Sequence, residues 1–476
     1  MDPHDRPAPG TAPNTPETVP PAVPPPAPGP LSATPPSATQ GATPLSATPN
    51  AATPRAARAD GHLDALDGLR AIAAFAVLIF HVAIESAAAL GDGFFGALLA
   101  RGDVAVPIFF TLSGLLLYRP YARAALTGEP RPDTRVYLVK RALRILPAYW
   151  LVVATALLLW SRDHIADAAT WLKLLFLAQT YDLNPWWTGL GPKGLAQMWS
   201  LCVEAAFYLL LPLLAAGLAA FARRGGPGTD TGPGAGPVDA AERARRARRL
   251  LLALAGLAAL SPVWLVFSHY PVYLPNLNSW LPRSLVFFAC GMALAVVSAW
   301  AAADPSPGNP ARRLIRSVNS SPGTMWLVAA LAYVVAASPA TGPRFTGVEG
   351  VWAGLSELVL YGITAACLVA PAALLSRPGA LVGRLLGNRT MRYLGRISYG
   401  VFLWQFVVLH GWYQLSGQRP FSGDFPLNLL VIGALTVALA ALTHRYVEEP
   451  ARRLARLARP SRRATPAEPR LRTRTP

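Results

Sequence analysis

From residue 64 onward the chain alternates apolar runs with short polar or basic connections. The runs fall at 64–88, 104–118, 137–160, 195–221, 250–268, 281–303, 324–339, 351–375, 397–415 and 427–447. An α-helix needs about 20 predominantly apolar residues to cross a bilayer, so the pattern predicts an all-α, polytopic membrane protein with about ten transmembrane helices. The second run has a short apolar core, Val104 to Tyr118, and needs flanking residues or local thinning of the bilayer to cross. A further stretch, Trp171 to Tyr181, is only eleven residues long and lies between the third and fourth runs. Its length predicts a short interfacial or re-entrant helix, not a span.

Charge orients this pattern. Lys and Arg concentrate after the second, fourth, sixth and eighth runs and in the C-terminal tail, whereas the other junctions are poor in them. By the positive-inside rule every even junction is cytoplasmic, which predicts both termini in the cytoplasm and a multi-pass protein of the cell (plasma) membrane. Counting Trp171 to Tyr181 as a span would put basic loops on opposite sides, so charge agrees with length. The net charge of +18 is then topogenic and gives no reason to expect nucleic acid. Residues 1–60 are rich in Pro, Ala and Thr, with repeated Ser-Ala-Thr-Pro phrases, and predict a disordered cytoplasmic tail. That tail lacks the charged start and apolar core of a secretory signal, so the first span is expected to direct insertion. The membrane domain is expected over 61–456, with a basic disordered tail at 457–476 and a flexible linker at Gly225 to Pro237. Cys202, Cys290 and Cys367 lie in apolar stretches without paired or metal-type spacing, which predicts free buried thiols and no metal site.

The first run carries the sharpest chemistry. Arg70 and His81 are eleven positions apart, which on an α-helix is three turns plus about 20°, so they share one stripe about 16 Å apart along the axis. Ionisable groups inside spans are costly and so become candidates for function. The alternative is that Arg70 anchors one end of the span and His81 caps the other. Two patterns imitate soluble enzymes and fail on context. Gly189-Leu190-Gly191-Pro192-Lys193-Gly194 fits a dinucleotide fingerprint but has no strand before it. His62 and Asp67 have the spacing of certain soluble acyltransferases, but Gly61 stands where those have asparagine. There is no G-x-S-x-G elbow and no P-loop.

The remaining phrases belong together. They are the Arg70 to His81 pair, Ala105-Val106-Pro107-Ile108-Phe109-Phe110-Thr111-Leu112-Ser113-Gly114, Lys140-Arg141-Ala142-Leu143-Arg144-Ile145-Leu146-Pro147-Ala148-Tyr149-Trp150, and Trp199 to Tyr208 around Glu204. Later come Leu394 to Gln405, around Ser398-Tyr399-Gly400, and Val447-Glu448-Glu449-Pro450. In this order, over about residues 63–455, the set resembles the acyltransferase-3 family of integral membrane acyltransferases. The resemblance implies a ten-span fold that takes an acyl group from acyl-CoA, a donor co-substrate and not a resident cofactor, and places it on a hydroxyl of a sugar, glycan or polyketide. It makes Arg70 and His81 the functional signature. Pro107 and Gln405 depart from the Asp and His that many members carry there, so roles attached to those family residues do not transfer.

Residue chemistry is consistent with that implication. A thioester is already activated, so the enzyme mainly has to deprotonate an alcohol, which is general-base work suited to a neutral imidazole at His81. Glu85, four residues on, either holds the imidazole tautomer or is an outer-interface carboxylate. Glu204, central in an apolar run, either pairs with Arg70 or Arg144 or helps set the state of the histidine. Lys140, Arg141 and Arg144 are candidates for the phosphates of coenzyme A, which arginine forks match in pairs; the plain reading of those charges is topogenic. Ser113-Gly114 is expected to allow close helix packing and not to supply a nucleophile. A transporter using the same Arg, His and Glu as a polar path is the competing reading, and a membrane scaffold is a third. Against the transporter, the two halves show no repeated pattern of broken helices.

Overall fold

The computed structural model describes residues 54–224, 238–343, 350–375 and 381–457, and the expected tails at 1–60 and 457–476 and the linker at Gly225 to Pro237 fall wholly or mostly outside them. Each of the ten apolar runs falls largely in a helix: α1 Pro54–Glu85, α2 Ala105–Thr127, α3 Thr134–Trp160, α4 Trp199–Arg223, α5 Ala240–His269, α6 Leu281–Ala303, α7 Pro322–Ala336, α8 Val351–Ala373, α9 Arg389–Ser416 and α10 Phe425–Thr443. No strand occurs among the described residues, and the protein is an all-α polytopic membrane protein. Eight helices are long and apolar enough to cross a bilayer on their own, and the pair Pro310–Ser320 plus Pro322–Ala336, bent by 79°, makes a ninth candidate. The runs at 324–339 and 397–415 therefore differ from the simple expectation. Helix α7 has only 15 residues, and α9 is 28 residues long but carries Arg392, Arg396, Gln405, His410 and Gln414. Those polar groups are tolerable because α9 packs along α1 and α10. The short second run reaches spanning length by recruiting its flanks, since α2 continues through Arg119, Pro120 and Arg123 to Thr127. Trp171 to Tyr181 folds as a helix Ala168–Leu175 and a 3-10 turn Gln179–Tyr181, too short to span.

Polar caps set where several of these helices begin. The side chains of Asp133, Asp239, Asn388 and Asp424 accept from backbone N–H groups in the first turns of α3, α5, α9 and α10. Each satisfies a donor that the helix itself leaves unpaired.

Inside the bundle α2 and α6 pack against each other along much of their length. A methyl group at Gly114 would collide with the carbonyl oxygen of Phe288, and one at Gly291 with that of Thr111. The two backbones thus touch where neither helix has a side chain, as expected for Gly114. Phe288 stacks on Phe110 at 4.7 Å and on Phe207 at 4.0 Å, which brings α4 onto the same seam. Against α1, Gly395 of α9 abuts the backbone of Asp67. On the outside, α5, α7 and α10 expose large apolar side chains such as Leu252, Leu331 and Leu430, the surface a lipid-facing helix presents.

Beyond Thr443, α10 passes through a π-helical turn, His444–Glu448, into a short helix, Glu449–Leu457, that lies against α3. Buried Glu448 accepts from Arg452 at 2.7 Å and has the His444 ring 3.5 Å away. The Val447-Glu448-Glu449-Pro450 phrase thus turns the chain back beside α3, the helix that carries Arg144. Cys202 is buried, and all three cysteines are free.

Candidate active site

Helices α1, α2, α3, α4 and α9 converge on a cavity whose unfilled space is about 720 Å³, part of it open to the outside. Arg70, Arg144, Glu204, Ser113, Tyr208 and Tyr399 are among the residues that line it. Three of the expected site residues, Arg70, Arg144 and Glu204, are thereby brought together from separate helices. Lys140 and Arg141 are not in the lining, although both are only partly exposed, and the Arg141 Nε is buried without a hydrogen-bond partner among the described residues.

Glu204 does not take an arginine as its direct partner. Its Oε1 accepts from the Ser113 hydroxyl and from the Tyr208 hydroxyl, the latter at 2.5 Å. Two hydroxyls reach it because Ser113 is placed by the close approach of α2 and α6, and Tyr208 lies one turn along α4 on the same face. Arg70 has Asp67, one turn earlier on α1, as its carboxylate at 3.9 Å, too long for a hydrogen bond. The expected Arg70–Glu204 or Arg144–Glu204 pair is replaced by a hydroxyl-bound carboxylate facing two guanidinium groups that it does not neutralise by contact. Tyr399 closes the floor, its hydroxyl donating to the carbonyl of Ile145 at 2.9 Å, and so ties α9 to α3 beside Arg144.

His81 is not among the residues lining this cavity. It sits further along α1, where Phe406 meets its ring edge-on at 4.4 Å and Phe80 lies beside it at 5.0 Å. Its Nδ1 is 3.0 Å from the Oε1 of Gln405. Beyond Phe406 the aromatic row continues to His410, 5.5 Å away, and on to Trp160, 6.0 Å from His410. The partner that holds the ring is therefore Gln405 on α9, not Glu85. Little in the sequence points to Gln405 as that partner, since it departs from the family pattern and stands 324 positions away. The only clue was its place in an otherwise apolar run, where a lone amide needs partners. His62 does not enter, since its side chain lies outside those described. The described residues hold no cluster of His, Cys, Asp and Glu able to bind a metal ion.

Fold and cavity define a helical membrane protein with a charged interior chamber. Comparison with known proteins supplies the class: residues 63–445 match the family model for the acyltransferase-3 domain, and the chain belongs to that family of acyltransferases. Relatives include the "Putative peptidoglycan O-acetyltransferase YrhL" of Bacillus subtilis, 24% identical over 405 residues, covering 82% of this chain and 55% of the relative. The "Peptidoglycan O-acetyltransferase OatA" of Listeria monocytogenes is 23% identical over 410 residues, covering 82% of this chain and 56% of the relative. The chain thus spans a little over half the length of these relatives. No solved structure matches it.

Proposed function

We propose that the chain is a plasma-membrane O-acyltransferase that moves an acyl group, acetyl in the first instance, from acyl-CoA to a hydroxyl of a sugar or similar acceptor. The observation that carries this reading is the cavity in which Arg70 and Arg144 stand without a carboxylate in hydrogen-bond contact. Half-buried guanidinium groups left in that state favour an anionic ligand, and the phosphates of coenzyme A supply one. Arg141, with its buried Nε unpaired, adds a further donor on the same helix. Both termini, and with them the Arg70 end of the bundle, are assigned to the cytoplasm by the distribution of basic loops.

In this reading the donor's head is held at the Arg70 end and its pantetheine arm follows α1 toward His81, a rise of about 16 Å. The acceptor hydroxyl loses its proton to the His81 imidazole as its oxygen attacks the acyl carbon. The carbon–sulfur bond then breaks, and the imidazolium returns the proton to the departing thiolate. His81 lies four residues before the end of α1 at Glu85, so the hydroxyl approaches from that end. Glu204, held by Ser113 and Tyr208, forms part of the wall of the donor site. The relatives named for peptidoglycan O-acetylation make a glycan hydroxyl the first acceptor to try.

The test uses the full chain in proteoliposomes with labelled acetyl-CoA as donor and a soluble muropeptide as acceptor probe. Wild type is expected to acetylate the probe, and His81→Ala to lose about 10² to 10⁴ in turnover, the share of a general base. Undiminished transfer in His81→Ala would remove the base from the mechanism. Absence of donor-dependent label in the wild-type product would remove the activity.

A further inference from the structure

The hydrogen bonds around His81 determine more than its position. Gln405 is fully buried, at 0% exposure. Its Nε2 donates to the carbonyl oxygen of Phe402, one turn earlier on α9, at 3.0 Å. A carbonyl oxygen can only accept, so the amide cannot be turned over without setting two acceptors against each other. That leaves Oε1 of Gln405 as the atom facing His81, and the 3.0 Å contact to Nδ1 can be made only if Nδ1 carries the hydrogen. Nε2 is then the ring's lone-pair nitrogen, and it has no hydrogen-bond partner among the described residues. Phe406, edge-on at 4.4 Å, limits rotation of the ring away from this arrangement.

We infer that Gln405 is a positioning residue that fixes His81 as the Nδ1–H tautomer and so makes Nε2 the atom that takes the acceptor's proton. This rests on the base role proposed for His81. The orientation has a further consequence. With Nδ1 tied to α9, proton uptake at Nε2 leaves the bond to Gln405 intact, so the ring keeps its place through the transfer and return of the proton.

Gln405→Met, similar in shape but with neither donor nor acceptor, is expected to lower kcat about tenfold, the share of one hydrogen bond. The KM for acetyl-CoA stays within about twofold, because the donor's head is held elsewhere. Gln405→His is expected to recover most of the loss, since an imidazole can donate to Phe402 with one nitrogen and accept from His81 with the other. The deficit of Gln405→Met shrinks with a phenolic acceptor such as 4-methylumbelliferone, whose more acidic hydroxyl needs less help from a base. Wild-type kcat in Gln405→Met, beside an inactive His81→Ala, overturns the inference and keeps the base. Wild-type turnover in His81→Ala overturns the base and the inference with it. A Gln405→Met defect that appears in KM, or that Gln405→His leaves unrescued, shows a merely structural role and also overturns it. Nitrogen-15 NMR of histidine-labelled wild-type protein, assigned by difference with His81→Ala, reads the tautomer without any variant at 405. A protonated Nδ1 and bare Nε2 are expected, and the reverse pattern overturns the assignment.

Discussion

Two groups of buried or half-buried ionisable side chains occupy the same bundle and are wired in opposite ways. Around the loop that enters α2, Arg101 donates to Glu357 at 3.2 Å and to the hydroxyl and carbonyl of Thr341 at 2.7 and 3.0 Å. Arg283 lies 3.6 Å from the other oxygen of Glu357, and the Tyr361 hydroxyl donates to Asp103 at 2.6 Å. These groups join the loop before α2 to α6 and α8, with Glu357 facing both guanidinium groups. In the cavity, by contrast, Glu204 is held by hydroxyls while Arg70 and Arg144 have no carboxylate in hydrogen-bond contact. Charge that closes on itself holds helices together, and charge that does not is free to bind. The first group costs desolvation and returns rigidity, and the second costs desolvation that a ligand has to repay.

Breaking the closed group is expected to have the larger effect, on stability and not on activity. Glu357→Ala removes the carboxylate that faces Arg101 and Arg283, whose side chains are only 11% and 10% exposed, a loss of about 3 kcal/mol. Thermal unfolding in detergent should show it, with the KM for acetyl-CoA in the surviving protein unchanged. Arg144→Ala should do the reverse, since a hydrogen bond to a charged group contributes about 1.5–3 kcal/mol, or roughly 10- to 100-fold in donor KM. Titrating acetyl-CoA at fixed acceptor measures it, and an unchanged KM with a lowered unfolding temperature would move Arg144 into the structural class. The smallest effect is expected for Glu204→Gln, which keeps an oxygen to accept from Ser113 and Tyr208 and should cost about 1 kcal/mol or less in stability. Glu204→Leu, which strands both hydroxyls, should cost more, about 1–3 kcal/mol for each group left unpaired. If Gln and Leu behave alike in unfolding scans, those two hydrogen bonds are not what holds Glu204.

Much of this was legible in advance, and the exceptions share a cause. The apolar runs placed every long helix, and the spacing of Arg70 and His81 put them on one stripe of α1. A shared stripe does not make a shared chamber: the cavity takes in Arg70 and leaves His81 in an aromatic niche of its own. Glu204, central in an apolar run, needs a partner, and its partners are hydroxyls, one of them 91 positions away on α2. Glu85 stood nearer to His81 in sequence, yet Gln405 holds the ring.

The sequence by itself determined the helices, the stretches that can cross a bilayer and the likeness to one family, because hydrophobic periodicity, loop charge and short motifs are local properties that each segment carries alone. Only the tertiary structure decided which polar groups meet, because a hydrogen bond across a bundle depends on the approach and rotation of two helices. That approach is set by contacts such as the Gly114–Phe288 and Gly291–Thr111 backbone seams, which join segments far apart in the chain.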